Sequence, residues 1–223
     1  MKISKGLYIF LLLCGFLRVS FPAFGQEEEA SGGFFTLDSL AVFHDTLWLG
    51  NSDNDSAPSP IMSQWGFSLT FHVSQRWYFA PELGLYYGLE YFYRDGRAFP
   101  AEIEYADAVK TLDIFAGFPV FYKFSPDDDF SLFAGTGPAF SFKIPMRTYG
   151  KGSAGDVGGY FLENYRFVHW EFTAIFEWNF FSQLAFCVRP RVIVPLYRLW
   201  DGEGAPIYDG LMAGVGFGLR LKL

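Results

Sequence analysis

The chain has 223 residues, 51% of them hydrophobic, and is rich in rings: 28 Phe, 13 Tyr and 6 Trp. With 17 basic against 24 acidic side chains its formal charge is −7, which argues against nucleic acid as a partner. Beyond the N-terminus no apolar run approaches the ~20 residues of a membrane-spanning helix, so the apolar surplus lies in segments of another kind.

The N-terminus reads as a signal peptide over residues 1–25. Lys2 and Lys5 precede an apolar stretch from Leu7 to Leu17, and Phe21-Pro22-Ala23-Phe24-Gly25 offers a small-x-small exit before Gln26. A lipoprotein signal at Cys14 fits less well, because Leu13 stands where a small residue is wanted. Loss of Lys2, Lys5 and Arg18 leaves 14 of the 17 basic residues against 24 acidic ones, a charge of −10. Cys187 is then the only cysteine, so no intrachain disulfide can form, and it reads as a small core residue. Residues 26–33 form a short leading segment, and a single domain is expected over 34–223.

That domain is expected to contain eight strands, each with the period-two alternation of an extended chain with one apolar face. The first, Phe34 to Trp48, leaves its register open, since Phe35, Leu37, Ala41 and Phe43 compete with Leu40 and Val42 for that face. Gln64 to Ser74 follows, with Trp65, Phe67, Leu69, Phe71 and Val73 on one side. Trp77 to Tyr93 alternates for seventeen residues, placing Phe79, Leu83, Leu85, Tyr87, Leu89 and Tyr91 with Trp77. Thr111 to Phe124 groups Leu112, Ile114, Phe118 and Val120; Phe130 to Ile144 groups Leu132, Phe140 and Phe142. Tyr165 to Phe180 groups Trp170, Phe172 and Trp178; Leu184 to Leu196 groups Phe186, Val188 and Val192. Leu211 to Leu223 sets Val215, Phe217 and Leu219 against Gly214, Gly216 and Gly218.

Long connections rich in Gly, Pro, Ser and Asp, around 51–60, 94–107, 145–164 and 200–209, alternate with tight turns at 75–76, 125–129 and 181–183. That rhythm predicts an all-β, eight-stranded antiparallel up-and-down transmembrane β-barrel. Rings at both strand ends, Trp77, Tyr122, Phe130 and Trp178 near the turns, Trp48, Tyr93 and Trp200 near the loops, match the two interfaces of a bilayer. Trp65, Phe67, Leu69, Phe71, Leu83, Leu85, Phe118, Phe140, Phe172, Val192 and Phe217 are therefore expected to face lipid. A secreted lipocalin-like carrier is the soluble alternative. It needs a charged outer face, whereas the face opposite the rings here carries glycines.

The other face carries Glu82, Glu90, Asp113, Lys123, Lys143, His169, Glu171, Glu177, Arg189, Arg191, Arg220 and Lys222. Buried charges are costly unless paired, so a lumen network is expected. The tight turn near Ser182 sets Glu171 level with Arg191 and Glu177 level with Arg189 to within about two residues. Inward Tyr86, Phe115, Phe121, Phe133, Phe167, Ile175, Ile193 and Tyr197 make the lumen less polar than a water channel requires. Catalytic chemistry has little support: no serine is spaced beside His169 and Glu171, and neither His44 nor His72 joins a ligand cluster. Asp53-Asn54-Asp55-Ser56 lacks the glycine and distal glutamate of a calcium loop, and Asp127, Asp128 and Asp129 read as a solvated turn. No metal, cofactor or catalytic residue is expected. Arg94 and Arg97 could touch lipid phosphate.

In its alternating strands and loop lengths the chain resembles the small eight-stranded bacterial outer-membrane barrels, the OmpA-barrel, OmpX and OmpW group. Such barrels end on an aromatic residue, where Gly214-Val-Gly-Phe-Gly-Leu-Arg-Leu-Lys-Leu223 ends in Leu. The resemblance implies an outer-membrane protein with its termini in the periplasm and long loops outside. Its expected partners are outer-membrane lipids, the barrel assembly machinery and an unidentified extracellular partner. A structural or surface-interaction role is expected, with an OmpW-like conduit for small apolar solutes as the alternative; the group's lipid-modifying members leave a small opening for an enzyme.

Overall fold

The computed structural model describes residues 35–52, 60–101, 107–124 and 129–223. The predicted signal peptide over 1–25, segment 26–33, Phe34, the Asp53–Ser56 loop, Asp127 and Asp128 lie outside the described residues.

Alternation in the sequence becomes one antiparallel sheet of strands β1 (Thr36–Leu49), β2 (Ile61–Ser74), β3 (Trp77–Phe79), β4 (Glu82–Arg94), β5 (Arg97–Ala101), β6 (Val109–Gly117), β7 (Val120–Lys123), β8 (Phe130–Thr148), β9 (Val168–Phe181), β10 (Leu184–Pro195) and β11 (Met212–Lys222). β3 with β4, and β7 with β6, are single staves interrupted at Pro81 and Pro119, which have no N–H to give the ladder. Their carbonyls still accept: Ala80 N donates to Pro119 O at 3.1 Å and Leu69 N to Pro81 O at 3.1 Å. Pairing runs from β1 through β2, β3/β4, β7/β6, β8, β9, β10 and β11 and back to β1, so eight staves close on themselves. β5 is an added hairpin on β4, turned at Asp95-Gly96, where φ values of 52° and 81° suit a two-residue turn.

The wall is apolar outside and charged within. Trp65, Phe67, Leu85, Phe172 and Phe217 are exposed by 47% or more, whereas Asp45, Glu171 and Arg191 are at 2% or less. Phe118 and Val192 are also exposed, and Leu69, Phe71, Leu83 and Phe140 share the outer face half-buried. Neighbouring rings cover the aromatic pair among these: Phe71 meets Phe35 at 6.5 Å and Phe140 meets Phe118 at 6.1 Å.

Two bulges resolve or overturn the expected faces. In β1 the register slips between Leu37 and Ser39, which places Leu37, Leu40 and Val42 all outside and Ala41 and Phe43 inside. In β4 it slips between Tyr87 and Glu90, where Gly88 has φ +128°. The seventeen-residue alternation therefore fails there: Leu89 and Tyr91 are buried, Tyr91 opposite buried Val109, rather than outside. Glu90, buried opposite Lys110, is put out of phase with Glu82 and Asp113. Phe167, expected inside, stacks on the outward ring of Phe142 at 5.0 Å.

The third long loop holds an unexpected helix, α1 (Ala154–Leu162). Ser153 caps it, its hydroxyl accepting from Asp156 N at 3.2 Å, with the Asp156 charge in the first turn. Val157, Tyr160 and Phe161 form its buried stripe. They pack with Leu47, Leu49, Met62, Tyr91, Ile193 and Met212, so α1 closes the loop end of the barrel.

Candidate functional site: the ionic lumen and the capped mouth

The middle of the lumen is filled by five strand-borne charges. Arg189 takes Asp45 with two nitrogens, Nε to Oδ1 at 2.9 Å and Nη2 to Oδ2 at 2.7 Å, and donates from Nη1 to Glu82 at 2.6 Å. Arg191 donates to Asp45 at 2.7 Å and Glu82 at 2.5 Å, and lies 2.8 Å from Glu171. The guanidinium groups also sit over rings, Arg189 over Phe43 at 3.5 Å and Arg191 over Phe115 at 4.7 Å. Three carboxyls share two guanidinium groups, and the Glu171 oxygens have no aligned hydrogen bond.

Glycine decides who meets whom. Gly216 lies in one ladder row between Arg189 and Asp45, and a Cβ there would strike Asp45 Oδ1 and come within 2.8 Å of Arg189 Cγ. Without a side chain between them the two charges meet across β11. Gly117 makes similar room, since its Cβ would lie 2.9 Å from both Glu171 Oε2 and Glu82 Cγ.

The expected pairing of Glu171 with Arg191 is present, but that of Glu177 with Arg189 is not. Glu177 lies opposite Cys187 and binds Arg220 at 2.7 Å and Lys222 at 2.8 Å, nearer the short turns. Asp113 forms a separate pair with Lys143 at 3.5 Å and accepts from Thr111 at 2.7 Å. His169 is buried outside these ion pairs, its Nδ1 3.1 Å from Phe167 O and its ring against Tyr197. Lys123, near the turns, stands over Phe133. Asp45, which the open register of the first strand hid, joins both arginines, as Glu82 does.

At the loop end a second network ties all four long connections. Glu203 accepts from Tyr160 at 3.0 Å and from Arg166 at 2.7 Å, and pairs with Arg198 at 2.9 Å and Arg97 at 3.1 Å. Asp209 binds Arg97 at 3.0 Å, Arg198, and the Ser52 N–H at 2.9 Å. Arg97 is thus committed within the mouth rather than offered to lipid phosphate; Arg94 remains exposed beside Asp95. Burial pushes the Tyr160 phenol up, with Arg198 drawing it down and Glu203 adding to the rise. Beneath α1 a cavity of ≈ 40 Å³ lies against Tyr91, Lys143, His169 and Tyr197, enough for a water or two.

Tyr86, Phe115, Phe121, Phe133, Ile175, Ile193 and Tyr197 do point inward, but as packing between ionic layers. A lipocalin-like cup would put apolar side chains where these charges stand.

No family model and no curated protein sequence matches the chain. Among solved structures it is similar to Neisserial surface protein A, at 10% identity over 87% of this chain and 100% of that one, with a TM-score of 0.48. It is also similar to the N-terminal β-barrel domain of Pseudomonas aeruginosa OprF (9% identity, 84% and 98% coverage, TM-score 0.47). A third is Ail, the attachment invasion locus protein of Yersinia pestis, in complex with the heparin analogue sucrose octasulfate (6%, 83% and 96%, TM-score 0.46). The fold rests on the chain's own ladder: an eight-stave ring, apolar outside and ionic inside, is a transmembrane β-barrel.

Proposed function

We propose that this protein is an integral barrel of a bacterial outer membrane that serves as a plugged scaffold for surface interactions through its long loops. The signal peptide over 1–25 is removed, the short turns and both termini face the periplasm, and the four long connections face outward. The observation carrying this reading is the inverted polarity of the wall. Exposed Phe67, Leu85 and Phe172 are at home in hydrocarbon, while the charges of the Arg189–Asp45 and Arg191–Glu82 pairs are kept from it inside the closed wall and neutralise one another there.

A scaffold fits the interior better than a conduit, because ion pairs fill the lumen and α1 covers its mouth. Recognition then falls to the loops, which the mouth network holds in one arrangement. Electrophoresis of the folded protein with and without boiling tests the barrel, with slower migration expected only after heating. Phe71→Cys, Leu85→Cys and Val192→Cys test the wall. A bilayer-confined thiol probe is expected to label all three, and labelling by a water-borne reagent instead would overturn the reading. Vesicles bearing the protein are expected to take up no small apolar solute.

A further inference from the structure

Besides Thr136, whose hydroxyl is engaged by Glu171 O and Trp170 Nε1, the described outer wall departs from its own rule in a cluster on β1 and β2. Among Val42, Trp48, Ile61, Trp65, Val215 and Phe217, three polar side chains stand together on the outside: His44 and Thr46 of β1 and Ser63 of β2. Thr46 is the register partner of Ser63, and His44 lies diagonally across, its Nε2 2.5 Å from Ser63 Oγ. The imidazole packs edge-on to Trp65 at 4.6 Å, which fixes its plane.

Polar side chains in a lipid-facing wall are costly, and three together call for a reason. A hydroxyl bonded to a histidine nitrogen is the elementary arrangement of an activated serine nucleophile. Its depth is informative. Trp48 and Ile61, paired at the loop end, are one outward position above Thr46 and Ser63, which puts the hydroxyl roughly 5 Å below the rim for a wall tilted ~45°. Tryptophan marks the interfacial level, where the ester groups of a bilayer lipid lie.

A second observation concerns the chain that such an ester carries. Two strands from Ser63 the outer wall is dented by Ala213, and beside it by Pro190 and Ala174, between Phe172 and Val192. The dent is shallow and open outward, and its lining is mainly apolar, with Thr173 and the buried Arg191 at its floor, which suits an acyl chain.

We propose that Ser63, His44 and Thr46 form a hydrolytic site on the outer wall for acyl esters of bilayer lipids. Ser63 Oγ adds to the ester carbonyl as its proton passes to His44 Nε2. The ester C–O bond then breaks, the proton goes from Nε2 to the leaving alcohol, and the acyl group stays on Ser63. Water from the interface, deprotonated by His44, adds to this acyl-serine and releases the fatty acid and the free hydroxyl. Thr46 is the donor placed by register to support the developing oxyanion, its Cβ about 5 Å from that of Ser63.

The proposal rests on the embedding of this wall in lipid, which the thiol-probe and heating experiments read separately. The full mature chain is folded into vesicles of phosphatidylethanolamine and phosphatidylglycerol with radiolabelled acyl chains, and in parallel into micelles with an alkyl fluorophosphonate. The expected result is a phosphonyl adduct on the Ser63 peptide and release of labelled fatty acid. Ser63→Ala abolishes both, His44→Ala slows both by about 100-fold or more, and Thr46→Val slows release more than adduct formation. His72→Ala, at the turn end of β2, leaves both unchanged. Absence of either adduct or release from a barrel with normal heat-shifted mobility overturns the proposal, as does release that survives Ser63→Ala.

Discussion

The two charge networks of the interior use the same groups and differ in what holds them. In mid-barrel, Asp45, Glu82, Glu171, Arg189 and Arg191 are carried by strands, with side chains at most 7% exposed. At the mouth, Arg97, Arg166, Arg198, Glu203 and Asp209 are carried mostly by loops, and Arg97 is 27% exposed. A strand cannot move without its neighbours, so the lumen network opens only as the wall unfolds. A loop can lift alone, so the mouth network opens locally. Similar chemistry thus gives global stability in one place and a fastened cover in the other.

The sharpest way to break this contrast is Arg191→Met. It strands Glu171 beside Asp45 and Glu82 with one arginine left, and is expected to cost about 3–5 kcal/mol, read as a lower urea midpoint of the heat-shifted form. A loss below about 1 kcal/mol would mean the lumen charges are not holding the wall. Leu85→Arg tests the other side of that wall and is expected to cost about 2–4 kcal/mol in a bilayer if position 85 lies at its midplane. The same change should be nearly silent if the outer face met water.

At the mouth the effects are smaller and local. Glu203→Gln weakens the hold on Arg97, Arg166 and Arg198 and should cost about 1–3 kcal/mol of loop closure. Trypsin is expected to cut at these arginines while the urea midpoint of the barrel stays put. If the midpoint fell equally, the two networks would be one.

Alkali gives the mildest test. Burial raises the Tyr160 phenol and raises Tyr197 further, with Arg198 lowering both. In an opened mouth these phenols lose their protons near ~10, so above that pH the open form binds fewer protons than the closed one. Closure is therefore fully present below about pH 9 and weakens as pH rises past 10, toward the raised values. Trypsin sensitivity should climb over that range in the parent and climb less in Tyr160→Phe.

Much of the wall was legible from sequence, because period-two alternation speaks directly about faces. It misled where one residue was inserted. Gly88 and the slip after Leu37 each reverse a face without altering composition, which hid Tyr91 inside and left Asp45 unread. Of the lumen pairs, Glu171 with Arg191 followed from the tight β9–β10 turn. Arg189 with Asp45 reaches across β11 from β10 to β1, and only the missing side chain of Gly216 hints at it. The helix α1 was masked by Gly155, Gly158 and Gly159, poor helix formers. Its Ser153-x-x-Asp156 cap and the Val157, Tyr160, Phe161 spacing were visible, but propensity argued against them. Close packing explains one exception: a Cβ on Gly158 would lie 3.2 Å from Pro145, so the glycine lets α1 approach β8. The His44–Ser63 contact needed the register of the first strand and could not be read without it.

The seam between β1 and β11 joins Ser39 with Lys222 and Leu49 with Met212, the most distant partners along the described chain. No part of the cylinder can seal until its last stave arrives, and until then two unsatisfied margins wait open. Such a contact forms late and slowly, since so long a loop must first be gathered. Assembly therefore depends on something that shelters both margins meanwhile, and a bulky residue at the seam in place of Gly216, which would also strike Asp45, should slow insertion as well as weaken the finished protein.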